Sequence, residues 1–347
     1  MSSNLKDLSE YLGLSISTVS RALNGKGRIS EETRQRVMDA ANKLSYVPNN
    51  MARSLKLSSS SIVGVILPDI TNVFYTRMLQ AIDRELSYHG YNMIFCNTDE
   101  DITREQMYYD LLKVKNVMGI IISQACRNDI YEREKELGNV VFVDNIPRVT
   151  QNSYSFVGID NYKAGYELTE KLISNGHKDI VAISGTLEET TAIDRLKGFR
   201  DCMRDHELSC EEGDVYIGEY TSESTSEVVS RIISRPNLPT AVYVSNNIQA
   251  YGTILALEKA GLYVPEDISV VCFDAIDFTG LIRPRLTCIL QPVEKIARTA
   301  VEHIIRNAES QAKCQITNYI LNYEVHEGDS LKKRAQGRKK GENLCQS

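Results

Sequence analysis

Residues 13–24 read Gly13-Leu14-Ser15-Ile16-Ser17-Thr18-Val19-Ser20-Arg21-Ala22-Leu23-Asn24, and this stretch decides how the first sixty residues fold. Val19, Ala22 and Leu23 share one stripe of a helix from Ile16 to about Asn24. Ser17, Ser20, Arg21 and Asn24 recur at i, i+3, i+4 and i+7 as a polar stripe. Gly13 suits a left-handed helix end and Ser15 an N-cap. Upstream, Leu5, Leu8 and Leu12 mark a short amphipathic helix. Downstream, Gly25-Lys26-Gly27 is a loop, and Ser30-Glu31-Glu32 is a capped start with acids on the helix dipole. Val37, Ala40, Ala41 and Leu44 then mark a third helix. Two short helices joined by a Gly-containing turn and braced by a third form a helix-turn-helix unit. A slim second helix with one Arg at mid-face suits insertion into a major groove. The same pattern also fits a small helical cap on an enzyme, its polar stripe merely solvated.

Charge is unevenly spread. Residues 1–60 hold nine Lys/Arg and five Asp/Glu, and residues 331–347 hold six Lys/Arg and one Glu, whereas residues 61–330 carry 25 Lys/Arg and 40 Asp/Glu. A basic head on an acidic body points to a head that meets a polyanion.

The wording of the head is more specific than its charge. Lys6-Asp7-Leu8, the stretch from Gly13 to Asn24, Ser30-Glu31-Glu32-Thr33-Arg34 and Leu44-Ser45-Tyr46-Val47-Pro48-Asn49 closely resemble the headpiece of the lactose-repressor (LacI/GalR) family of bacterial transcription regulators. The resemblance implies that Ile16, Ser17 and Arg21 stand at base-reading positions. It implies that Thr18, Ser20 and Asn24 contact phosphate or steady the recognition helix. These roles suit the chemistry: Arg grips guanine through two hydrogen bonds, and hydroxyls and amides hold phosphate. Ile16 has two readings, a contact to a thymine methyl or an extension of the Val19–Leu23 apolar stripe. Residues 49–57, Asn-Asn-Met-Ala-Arg-Ser-Leu-Lys-Leu, match the family's hinge, which folds into a helix when two copies meet on DNA. The match places Asn49, Ala52, Arg53 and Leu55 on DNA, with Leu55 as a minor-groove wedge.

Across residues 61–330, apolar runs of strand length alternate with helix-length amphipathic stretches. The runs are Ile62–Leu67, Asn92–Cys96, Gly119–Ile122, Val140–Val143, Ile180–Ile183, Ala241–Val244, Ile268–Phe273 and Thr287–Leu290, with Gly90, Gly138, Gly176 and Gly261 at helix ends. This is βαβ grammar, hence parallel sheets with helices on both faces. The length exceeds one compact core, so two α/β lobes are expected, with a ligand cleft at the strands' carboxyl ends. The expected fold class is an all-α helix-turn-helix headpiece plus a two-lobed α/β effector domain resembling periplasmic binding proteins. Expected boundaries are 1–46 for the head, 47–60 for hinge and linker, 61–330 for the effector and dimerisation domain, and 331–347 for a disordered basic tail.

The same resemblance places effector residues one by one. Phe74 lies in Asn72-Val73-Phe74-Tyr75 after the first strand. Asp144 ends the fourth run, and Arg195 opens Arg195-Leu196-Lys197-Gly198-Phe199. Tyr220 stands at an aromatic wall position. Asn246 precedes Asn247, where the family usually has Asp, and Asp274 follows the Ile268–Phe273 run. An aromatic wall with Arg, Asp and Asn is equipped for a sugar's hydroxyls and apolar face. Three plainer readings stand beside these: Phe74 as core, Asp274 as a helix cap, and Arg195 in a surface ion pair.

No GxSxG elbow, P-loop or HExxH occurs, so no enzyme chemistry is expected. The eight cysteines are scattered without a CxxC pair. They read as free thiols in a reducing cytoplasm, with neither disulfide framework nor metal site. His177 reads as a structural helix-end residue. No run approaches the roughly 18 apolar residues of a membrane span, and residues 1–6 have no signal-peptide core, so a cytoplasmic location is expected. The tail lacks the leucine heptads that join some members of that family into tetramers, so the resemblance implies a homodimer. The expected partners are therefore a near-palindromic operator in double-stranded DNA and a small effector, a sugar or sugar derivative. No cofactor and no membrane partner are expected. The rival readings at this point are a sugar-binding protein without a DNA role and a cytoplasmic α/β enzyme.

Overall fold

The structure, a computed structural model, describes residues 5–23, 29–44, 61–125, 131, 137–147, 154–275, 283–310 and 314–334. The chain divides into two compact units, residues 1–60 and residues 61–347.

In the first unit, α1 (Leu5–Leu12), α2 (Ile16–Leu23) and α3 (Glu31–Lys43) surround a small core of Leu8, Val19, Ala22, Val37, Ala40 and Ala41. The turn between α1 and α2 is built by hydrogen bonds. Gly13 takes φ +64°, and the Ser9 hydroxyl donates to the Leu14 carbonyl at 2.8 Å. The Ser15 Oγ accepts the Thr18 amide at 3.1 Å, closing the N-terminus of α2. Ser30 caps α3 in the same way through the Thr33 amide, at 3.2 Å.

The second unit contains two six-stranded sheets. Its elements run β1 (Ile62–Leu67), α4 (Val73–Tyr88), β2 (Asn92–Asn97), α5 (Ile102–Val114), β3 (Gly119–Ile122), β4 (Val140–Val143), β5 (Ser155–Gly158), α6 (Asn161–Ser174), β6 (Ile180–Ser184) and α7 (Thr190–Asp205). They continue β7 (Val215–Ile217), α8 (Ser222–Ile233), β8 (Ala241–Val244), α9 (Asn247–Lys259), β9 (Ser269–Phe273), β10 (Thr287–Leu290), α10 (Val293–Glu309), β11 (Asn318–Ile320) and β12 (Glu324–His326). The first sheet has the order β11-β5-β4-β3-β1-β2, and the second β12-β10-β9-β8-β6-β7. All pairings are parallel except β12 on β10.

Alternate residues of each strand feed helices on opposite faces. In β6, Val181 and Ile183 pack with α8 and α9, while Ile180 and Ala182 pack with α6 and α7. The chain crosses between lobes three times, at residues 158–161, 290–293 and 320–324. Eight strands lie on the apolar runs read from the sequence. β5, β7, β11 and β12 do not, because β7, β11 and β12 are three-residue sheet-edge strands of mixed burial, and β5, Ser-Phe-Val-Gly, is half small residues.

The expected tail boundary needs correction. Residues 331–334 are packed, not free. Leu331 joins the core of the second lobe, and Lys332 donates its amide to Ser269 Oγ at 3.1 Å. Arg334 donates to the Asn175 carbonyl at 2.8 Å. Buried His177 bridges this segment to the lobe, with Nε2 3.0 Å from the Lys332 carbonyl and Nδ1 3.0 Å from Thr240 Oγ1. Burial holds its pKa below the usual histidine range, as befits a neutral structural residue.

α6 and α7 cross with backbones nearly touching. A Cβ on Gly165 would lie 2.3 Å from the Arg195 carbonyl oxygen, and one on Gly198 would lie 2.2 Å from the Tyr162 carbonyl oxygen. In an open helix, Gly→Ala gains about 1 kcal/mol. Here Gly198→Ala is expected to reverse that sign and destabilise by about 1–3 kcal/mol, because the helices must part. Denaturant midpoints of the two proteins check this, and a stabilised variant would contradict the close crossing.

Candidate functional site

The first unit presents its polar stripe outward. Ser17 and Arg21 are exposed, Thr18 and Ser20 are partly so, and Val19 and Ala22 face the core. Ile16 is 48% exposed, which removes it from the core and leaves it on the outer face. Ser15 Oγ lies 2.8 Å from both Ser17 Oγ and Thr18 Oγ1, a hydroxyl cluster at the start of α2. Asn24, Asn49, Ala52, Arg53 and Leu55 lie outside the described residues.

In the second unit, one cleft of about 570 Å³, including its open mouth, collects residues of both lobes. Phe74, Asp144, Arg195, Tyr220, Asn246 and Asp274 all line it. Parallel strands explain the convergence, since these residues follow the carboxyl ends of different strands.

Arg195 is the fixed point of the wall. It is 5% exposed, which excludes a surface ion pair. Its guanidinium lies 4.1 Å from the centroid of the Phe273 ring. Nε donates to Asn161 Oδ1 at 2.8 Å, and Nη1 donates to the Ser245 carbonyl at 2.7 Å. Nη2 stands 4.0 Å from Asp274 Oδ2. Asn161 opens α6 at the close helix crossing, so the two glycines serve the placement of this cation.

Asp144 and Asp274 take left-handed φ values of 59° and 51° directly after β4 and β9. Aspartate tolerates that region better than most residues, and the turn carries each carboxylate to the cleft. Tyr75 Oη donates to Asp144 at 2.9 Å. Gln291, on the 290–293 crossover, gives its side-chain amide hydrogens to Asp144 at 3.3 Å and to Asp274 at 2.9 Å. Its backbone amide also donates to Asp274, at 2.9 Å. Burial raises the Asp274 carboxyl above the usual range, with Arg195 opposing.

Phe74 is buried in the first lobe's core and also lines the cleft. Tyr220 is half-buried, and its hydroxyl donates to Glu189 Oε2 at 2.6 Å. Asn246 serves mainly its own helix. Its Oδ1 accepts the Gln249 amide at 2.9 Å, capping α9, and its Nδ2 donates to Gln249 Oε1 at 2.6 Å. Asn247 reaches across the cleft and donates to Asn72 Oδ1 at 2.9 Å. Asn145 forms a second bridge between lobes, accepting from Thr191 Oγ1 at 2.9 Å and lying 3.4 Å from Glu189 Oε2.

Sequence reading missed Asp69, Glu100, Asn145, Glu189 and Gln291. The available signal was position: each stands within a few residues of a strand's carboxyl end.

The model described as "Periplasmic binding proteins and sugar binding domain of LacI family" matches residues 60–325, and "Bacterial regulatory proteins, lacI family" matches residues 4–49. The chain belongs to the LacI family. It is a transcriptional regulator of the repressor type, with a helix-turn-helix DNA-binding domain and an effector-binding domain of periplasmic-binding-protein-like fold. It is 32% identical over 303 residues to the HTH-type transcriptional regulator DegA of Bacillus subtilis, covering 85% of this chain and 88% of that protein. It is 31% identical over 313 residues to the HTH-type transcriptional repressor PurR of Vibrio campbellii, covering 88% of this chain and 92% of that protein. Its fold matches a crystal structure of the lac repressor dimer bound to operator and the anti-inducer ONPF, with a TM-score of 0.82 and 24% identity. That match covers 96% of this chain and all of the other.

Glu189 makes this regulator's stability depend on pH. Burial pushes its carboxyl from 4.5 up to about 7, with Asp144 adding and Tyr220, Asn145 and Arg195 opposing. Between those values the folded chain holds a proton that the unfolded chain has lost, so stability falls as pH rises. Glu189→Gln is expected to flatten that fall and to raise the melting temperature at pH 8. Melting curves from pH 4.5 to 8 check it, and an unchanged slope would contradict the buried-carboxyl account.

Proposed function

We propose that two copies of this regulator read a near-palindromic operator through the outer face of α2, under the control of a small, sugar-like effector held between the lobes. The observation that carries the effector reading is the cleft, where buried Arg195, Asp144 and Asp274 converge from separate strand ends beside Phe74 and Tyr220. The exposed stripe of Ile16, Ser17 and Arg21, with Thr18 and Ser20 beside it, supports the DNA reading. Arg21 and Ser17 approach base edges, Ile16 offers a methyl-bearing surface to thymine, and Thr18 and Ser20 set register on phosphates. Half-sites then lie about one helical turn, 10–10.5 bp, apart. The hinge residues Asn49, Ala52, Arg53 and Leu55 complete the contact, Leu55 by wedging a base step. The protein acts by binding, in the cytoplasm where its DNA lies, and needs no cofactor.

Control follows from differential affinity. A ligand that bridges the lobes favours one lobe arrangement, and coupling of that kind shifts DNA affinity by about 1–3 kcal/mol.

Selection of duplexes from a randomised library by the full chain tests the proposal. Arg21→Ala is expected to broaden the selected sequence at one half-site position and to cost about 1–3 kcal/mol of operator affinity. Unchanged selectivity would remove Arg21 from the groove. Arg195→Ala is expected to keep operator binding, read by fluorescence anisotropy, while losing the response to effector. A normal response would remove Arg195 from the effector site.

A further inference from the structure

Five carboxyl groups line the cleft, those of Asp69, Glu100, Asp144, Glu189 and Asp274, and Arg195 is the one cation facing them among the described residues. Arg195 is already matched. Its Nη2 stands beside Asp274, Nε and Nη1 are engaged by Asn161 and Ser245, and its face rests on Phe273. The other four carboxyls have no ion-pair partner among the described residues. Asp144 and Glu189 are buried, so solvent screens them weakly.

The acids are also crowded. Desolvation pushes the Glu100 carboxyl up to about 9, with Glu189, Asp69, Glu105 and Asp144 adding, so at pH 7 it and part of the Glu189 population hold protons that an incoming ammonium would displace. Yet no three His, Cys, Asp or Glu side chains among the described residues converge as a metal site. The negative charge is spread along the wall, and its complement is a molecule, not a bare ion.

A separate observation points to hydrogen-bond donors. Gln291 is 5% exposed and spends its amide hydrogens on Asp144 and Asp274, while its Oε1 lacks a partner. An unpaired buried acceptor calls for a donor, which this oxygen, closed to solvent as it stands, gains when the Gln291 side chain shifts. Phe74 from one lobe and Tyr220 from the other add aromatic, cation-attracting rings to the lining of the cleft.

We infer that the ligand of this cleft is a polyhydroxylated molecule carrying a protonated amine, an amino sugar, and that neutral and anionic sugars are discriminated against. The hydroxyls meet Asp144, Asp274 and Arg195, and the ammonium meets the surplus acids about Glu189 and Glu100. This rests on the reading of the cleft as the effector site. An anionic sugar would bring a further negative charge to a wall whose acids are already too crowded for all of them to ionise at pH 7.

Calorimetric titration of the full chain at pH 7 tests this. The probes are glucosamine, galactosamine and mannosamine, their N-acetyl derivatives, the parent hexoses, hexuronic acids and hexose 6-phosphates. At least one hexosamine is expected to bind about tenfold or more tightly than its N-acetyl and parent counterparts. Glu189→Gln and Glu100→Gln, each verified as folded by its melting curve, are expected to erode that preference.

Equal or tighter binding of a neutral or anionic probe overturns the inference, as does the absence of binding by every hexosamine at millimolar concentration. Operator affinity, measured with and without each ligand, separates this inference from the effector reading. A neutral or anionic ligand that shifts it and binds at least as tightly as every hexosamine ends the amine inference and leaves the effector reading intact. A preferred hexosamine that leaves it unchanged supports the cleft chemistry and counts against the effector reading.

Discussion

A buried guanidinium must be surrounded by acceptors, and that demand on Arg195 organises the ligand-binding half of this protein. Its charge cannot be shed, because arginine stays protonated in proteins. The fold therefore brings Asn161, the Ser245 carbonyl and Asp274 to its edge and Phe273 to its face. They come from three elements: Asn161 from the start of α6, Ser245 from the end of β8, and Phe273 and Asp274 from the end of β9. The close crossing at Gly165 and Gly198 makes the first of these reachable, since a Cβ on either residue would collide with the opposing backbone. Packing of two helices and chemistry in the cleft are thus one problem with one solution.

Around that cation the cleft is an inter-lobe device. The first lobe contributes Asp144, Phe74, Tyr75 and Asn72, and the second contributes Glu189, Tyr220, Asn247 and Asp274. Gln291 sits on a crossover and holds Asp144 and Asp274 together. Hydrogen bonds already join the lobes at Asn72–Asn247 and at Asn145–Thr191. A ligand that enters must work with or against these bridges, and that gives it differential affinity for lobe arrangements. Without such a difference, no binding event could alter the rest of the molecule.

The head follows a different logic. Its core is six small or medium apolar side chains, so its helices are held by turn and cap chemistry as much as by burial. Gly13, Ser9 and Ser15 set the angle between α1 and α2. That angle leaves one side of α2 uncovered. Ser17, Arg21 and Ile16 stand exposed there, which is the condition for reading another molecule.

The head and most strands were legible in the sequence because their signals are local. Helical spacing sorted Val19 and Ala22 from Ser17 and Arg21, and continuous apolar runs marked strands buried on both faces. The short strands β7, β11 and β12 were not legible, since at a sheet edge neighbouring strands, not composition, make a strand. Ile16 had two local readings, and only the packing of α2 against α1 and α3 chose between them. Resemblance located Arg195, Asp144 and Asp274, but it could not say that Asn246 spends its side chain capping α9.

Residues 331–334 looked like tail by composition and became structure through His177 and Ser269, partners more than sixty positions away. The sequence alone determined a basic three-helix head and a two-lobed α/β body, because those follow from periodicity and charge. Only the tertiary structure decided that five carboxyls share one cleft with, among the described residues, a single matched cation. They come from loops spread over two hundred residues, and no local pattern records which loops meet.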